Sequence, residues 1–204
     1  TAVTLLVDNS GSMSGAKMHM AMVGAFALST TLDRVKIANE MLGFTTGEDR
    51  RIPSSIRNAY QDEWISHGIS YDRVSPIVMP IYKTFDERIS PEVKRRIAYA
   101  ANAQKGLNLN VDGESLEYAA LRLAQRSEKR KVVIVLSDGQ PSAGAKHCNH
   151  LKYMVEKLEK AGIETIGIGI MDASVRKFYP KSVVMNKVED LPGVVMQEIK
   201  KLLV

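Results

Sequence analysis

Apolar residues in this chain form short continuous runs, separated by longer stretches in which they recur at helical spacing. Residues 3–7 (Val-Thr-Leu-Leu-Val) are the first run and read as a strand buried on both faces. A Gly/Ser turn follows. Residues 17–32 then carry Ala, Met, Val, Phe and Leu with no internal Pro, which predicts a helix lying against a sheet. Residues 35–44 predict a second strand. Residues 131–136 (Lys-Val-Val-Ile-Val-Leu) are the clearest strand of all, and 147–161 predict a helix that Gly162 is placed to end. Strands at 163–170 and 182–185 and a closing helix at 190–203 complete the pattern.

Strands alternating with helices imply right-handed crossovers. The expected fold is α/β, with a doubly wound, mostly parallel sheet and helices on both faces. Ligands in such folds bind where the loops converge at the carboxyl ends of the strands. The stretch from about 45 to 110 breaks the alternation. It holds Trp64, Pro53, Pro76, Pro80, Pro91 and mixed charges, with one helix expected at 91–104, opened by Ser90-Pro91. So long a connection reads as an insertion on the binding face after the second strand.

Composition adds limits. A chain of 204 residues accommodates one α/β domain, expected over 1–204, and no apolar run reaches the length of a membrane span. The chain opens directly in an apolar run, as expected of the C-terminal part of a longer protein. The net charge of +5 includes the clusters Arg50-Arg51, Lys94-Arg95-Arg96 and Lys129-Arg130-Lys131. No aromatic-rich basic stripe accompanies them, so they read as solvated faces rather than a nucleic-acid surface. A lone Cys148 excludes an internal disulfide and suits a reducing compartment.

The chemistry centres on Asp8-Asn9-Ser10-Gly11-Ser12, which puts an acid and two hydroxyls on alternate residues right after the first strand. In a tight turn, alternate side chains can face one centre, and Gly11 lets the backbone bend. Carboxylate and hydroxyl oxygens are hard ligands that suit Mg²⁺, with water filling the other positions. Ser137-Asp138-Gly139 ends the strand at 131–136 in the same manner. If the two strands are neighbours, Asp138 reaches the same centre.

An Asp-x-Ser-x-Ser loop after a strand, with a later strand ending Ser-Asp-Gly, resembles the metal-ion-dependent adhesion site of von Willebrand A domains. The resemblance implies that Ser10 and Ser12 bind the metal directly, that Asp8 and Asp138 often act through water, and that a third loop contributes. That loop would fall at Asn110-Val111-Asp112-Gly113-Glu114-Ser115-Leu116, where Asn110 stands in place of the usual Thr and Asp112 two residues on. Either is an oxygen ligand, and the choice stays open here.

Further segments narrow the resemblance. Residues 3–13, Leu42-Gly43-Phe44-Thr45-Thr46, Ile81-Tyr82-Lys83, residues 110–114, Ser137-Asp138-Gly139-Gln140-Pro141 and Ile166-Gly167-Ile168-Gly169-Ile170 are similar to the C-terminal domain of the aerobic cobaltochelatase T subunit family. The resemblance implies a cytoplasmic, non-catalytic module of a chelatase complex. Its partners would be an AAA+ ATPase and the other subunits that drive cobalt into a corrin ring, with a partner carboxylate completing the metal site. Two other readings remain at this point: a catalytic or corrin-contacting subunit, and a stand-alone adhesion-type domain.

Other residues weigh less. Asp8 as a phosphotransfer nucleophile would want a second acid at position 10, and Ser10 in a nucleophile elbow would want Gly at position 8. His147 and His150 share a spacing suited to a soft metal but lack further ligands, so they read as helix-surface residues. The methionines of the first helix read as core packing, with Met13 beside the loop a possible exception. Trp64 and Tyr71 either form a partner patch or pin the insertion.

Overall fold

The computed structural model describes residues 1–47, 52–71, 75–102, 107–142, 144–190 and 193. The pattern of apolar runs becomes seven strands and five helices among these residues. β1 (Ala2–Asp8) leads to α1 (Ala16–Arg34) and β2 (Ala38–Thr46). The insertion holds α2 (Ser54–Ser66), β3 (Ile77–Val78), β4 (Ile81–Lys83) and α3 (Pro91–Ala101). Then come α4 (Asp112–Ala124), β5 (Lys131–Ser137), α5 (Ala145–Lys160), β6 (Ile163–Ile170) and β7 (Lys181–Met185). The closing helix expected at 190–203 and the basic pair Arg50-Arg51 lie outside the described residues.

The sheet runs β3-β2-β1-β5-β6-β7, with β4 also pairing to β2. β1, β2, β5, β6 and β7 are parallel, and β3 and β4 add an antiparallel edge. Every residue of β1 is buried, which explains its unbroken apolar run: the strand is covered on both faces and flanked on both sides. One face packs under α1 and α3, the other under α4, α5 and Trp64 of α2. The chain winds one way from β1 to β2 and the other way to β5. The ends of β1 and β5 therefore border the crevice where such sheets bind ligands.

Three local features depart from the sequence pattern. α4 was not expected, because its first turn contains Gly113, a poor helix former. Packing explains that glycine: a Cβ there would stand 2.4 Å from Nδ1 of His150. α2 also escapes the pattern, since Trp64 is its only fully buried residue and its isoleucines, Ile56 and Ile65, are exposed. Finally, His147 and His150 are buried, not on the helix surface. His150 stacks on Tyr71 at 4.0 Å between centroids and meets Trp64 edge-on at 4.2 Å. This ring cluster pins the insertion to α5, which settles the role of Trp64 and Tyr71. Met13, like Met18, Met20 and Met22, is core.

Candidate metal centre

The register of the sheet assembles the site. Asp8 ends β1 opposite Phe44, and Val7 pairs with Leu136, so Ser137 and Asp138 emerge level with Asp8. The backbone then turns tightly at Gly11–Met13, directing the hydroxyls of Ser10 and Ser12 back over the strand ends. Ser10 Oγ lies 3.1 Å from Ser12 Oγ, and Ser12 Oγ donates to Asp138 Oδ1 at 2.8 Å. Asp8 accepts from the Ser10 backbone amide and from Ser137 Oγ, both at 2.8 Å. Four of the residues singled out in the sequence, Asp8, Ser10, Ser12 and Asp138, thus form one hydrogen-bonded network.

The third loop reaches the same network by two routes. The Asn108 carbonyl accepts from the Gly11 amide at 2.7 Å, joining the loops through the backbone. Asn110 and Asp112 then divide the work. Asn110 Oδ1 accepts from the Ser142 amide at 2.9 Å and from its hydroxyl, and Asn110 Nδ2 donates to the Gln140 carbonyl at 3.1 Å. Its polar atoms are therefore engaged in holding the third loop to the loop after β5. Asp112 differs: it is buried, and its Oδ2 has no hydrogen-bond partner among the described residues.

Burial raises the Asp8 carboxyl to about 6, with the Asp138 charge adding to the effect and hydrogen bonds from Ser10 and Ser137 opposing it. Asp112 is pushed well above the carboxylate range, first by burial and then by the charges of Asp8 and Asp138. Such a cluster has an unmet demand for positive charge. Among the described residues, no three His, Cys, Asp or Glu side chains alone gather at metal-holding spacing. Hydroxyls are needed to complete any donor set, and Ser10 and Ser12 supply them. The orphaned Asp112 Oδ2 and the all-oxygen donors fit a hard divalent cation.

Supports not evident from the sequence brace this loop. Tyr82 on β4 donates to Asn9 Oδ1 at 2.8 Å, and Asn9 Nδ2 lies 3.1 Å from Met18 Sδ. Gly43 makes room for them, because a Cβ there would stand 1.9 Å from Asn9 Oδ1. Lys17, in the first turn of α1, donates to Asp138 Oδ2 at 2.6 Å. Its place nine residues after Asp8 was the only signal available in the sequence.

A mostly parallel sheet, helices on both faces and this loop arrangement at the switch point define a von Willebrand A-type fold. Solved structures agree. The chain superposes on the pilus adhesin SpaC of Lactobacillus rhamnosus GG in its open conformation with a TM-score of 0.66 and 13% identity, covering 98% of this chain and 30% of that one. Proximal thread matrix protein 1 of the mussel byssus, in a structure with a zinc-occupied MIDAS motif, gives 0.54 at 14% identity, covering 97% of this chain and 46% of that one. At such identities the likeness concerns the fold.

A family model described as the VWA domain of the cobalamin biosynthesis protein CobT matches residues 1–204, and the chain belongs to that family. Among curated proteins it is 24% identical to the uncharacterized protein YojO of Bacillus subtilis (strain 168), over 98% of this chain. The chain spans 30% of that relative's length.

Proposed function

We propose that this domain is a divalent-cation-dependent interaction module of a cobaltochelatase-like complex, acting in cobalamin biosynthesis beside an AAA+ ATPase and the other chelatase subunits. The observation that carries the reading is the buried, unpartnered Asp112 Oδ2 next to the Asp8–Ser10–Ser12–Asp138 network, in a member of the CobT VWA family. Mg²⁺ is the cation that best suits these donors. Ser10 and Ser12 would hold it directly, Asp8 and Asp138 would orient those hydroxyls, and Asp112 would serve as the third-loop ligand while Asn110 positions the loop. A bound cation supplies a Lewis-acidic position that a partner carboxylate can fill.

The module is not catalytic by itself in this reading. A corrin-contacting role would draw on histidines, yet His147 and His150 are buried among aromatic rings, His19 stands on α1 and His67 follows the end of α2. No helix among the described residues is long and apolar enough to cross a membrane, and a cytoplasmic complex is the setting we infer. The test is binding to the cognate AAA+ ATPase in Mg²⁺ and in EDTA, repeated with Asp8→Ala. The reading expects strong binding only for the unmodified domain in Mg²⁺. Equal binding in EDTA overturns it.

A further inference from the structure

The ammonium of Lys17 sits 2.6 Å from Asp138 Oδ2, while the other oxygen of that carboxylate accepts from Ser12 at 2.8 Å. The Asp138 side chain is 5% exposed and that of Lys17 33%, so solvent reaches the ion pair chiefly at the lysine. A second acid stands nearby, its Oδ1 accepting from the Ser174 amide. Asp172, just after β6, lies within electrostatic reach of Lys17 and of Lys177. It also approaches Gly139, with Oδ2 3.7 Å from where a Cβ would stand on that residue. Lys17 therefore has one acid inside the network and one beside it.

We propose that Lys17 is the tethered counter-ion of the cation site: it holds Asp138 when no divalent cation is bound, stays beside the loaded site as its balancing charge when one is, and sets how that site receives an acidic partner. The inference rests on the cation-dependent reading above and deepens it. With Asp112 as ligand and Asp8 and Asp138 ionised behind the serine hydroxyls, the centre would carry one negative charge more than a divalent ion supplies. A carboxylate approaching such a centre would meet net repulsion. The Lys17 ammonium cancels the excess, so the loaded site is neutral and accepts an acid. The same charge competes with the incoming cation for Asp138. One side chain thus weakens cation binding and strengthens partner binding, a pair of opposite effects that a purely structural lysine would not produce.

The test titrates Mg²⁺ into the free domain by calorimetry, then measures the cognate ATPase at saturating Mg²⁺, for Lys17→Met, Lys17→Arg and Asp172→Asn. For one unit charge near a partly exposed ion, Lys17→Met is expected to bind Mg²⁺ roughly fivefold tighter and the ATPase roughly fivefold weaker. Lys17→Arg restores both values toward the parent. Asp172→Asn removes a negative charge near the site and weakens Mg²⁺ binding about twofold by the same reasoning. Melting in EDTA checks that each variant is folded, and Asp172→Asn tests the idea even if Lys17→Met is not. Mg²⁺ affinity that is unchanged or lower in Lys17→Met, with a normal melt, overturns the role of Lys17 while leaving the cation site intact. A parent domain that binds no Mg²⁺ overturns both.

Discussion

At the scale of single residues, the loop after β1 is stabilised by neighbours chosen for shape as much as for chemistry. Gly43 is the clearest case. Its missing Cβ is the space in which Asn9 Oδ1 meets the Tyr82 hydroxyl, and β4 thereby braces the loop after β1. Gly43→Ala is expected to destabilise the domain by about 2 kcal/mol through overpacking, seen as a shifted denaturant midpoint. Asp112 presents the opposite case, a buried carboxyl that costs stability and that a cation would relieve. Asp112→Asn should raise the melting temperature in EDTA and shrink the gain on adding Mg²⁺; a lower melting temperature in EDTA would count against the acid's assigned burden. Asp8, Ser10, Ser12 and Asp138 were legible in the sequence because their spacing after apolar runs is itself the signal. The sequence leaves Asn110 and Asp112 level, since what separates their surroundings is Ser142 and Gln140, more than two dozen residues away in the chain.

Elements report how far local pattern can reach. The parallel strands were visible because burial on both faces forces continuous apolar runs, and helix α3 because Ser90 caps it, accepting from the Val93 amide at 3.2 Å. α2 and α4 hide for the reason that their partners are distant. α2 is held chiefly by one Trp, and α4 accepts a glycine in its first turn to admit His150. That histidine gives the packing a pH signature. Both its ring nitrogens lack hydrogen-bond partners among the described residues, and burial, with His147 and Lys157 nearby, lowers its pKa to about 3 from 6.5. Below 6.5 the unfolded chain takes up a proton that the folded His150 refuses. Its contribution to stability is therefore full above 6.5 and declines as pH falls toward 3. Compared with His150→Phe, the parent should lose stability progressively over that window in equilibrium unfolding; a constant difference would contradict a neutral buried imidazole. α4 carries a second long-range tie, since Arg122 bonds Glu40 Oε2 at 2.8 Å and Thr4 bonds the other oxygen at 3.0 Å. Arg122→Met leaves Glu40 buried in β2 without its ion-pair partner and should cost about 3 kcal/mol, measured by urea unfolding.

For the whole molecule, the topology does most to explain the site. β1 lies between β2 and β5, so three loops from distant parts of the chain, at 8–12, 108–112 and 137–142, converge on one sheet end. The mostly parallel sheet could be anticipated from the alternation, but the antiparallel edge of β3 and β4 could not, because its two short strands sit among prolines and pair with β2. The account's central claim is that this convergence holds a divalent cation. Calorimetric titration of Mg²⁺ into the free domain tests it most directly, alongside Ser10→Ala and Asp112→Asn. Binding at one site in the parent, with melting raised by roughly 2.7 kcal/mol of added stability at a hundredfold excess over Kd, is the predicted result, and both variants should lose most of it. No heat of binding and no stabilisation in the parent, or undiminished binding in both variants, would contradict the account.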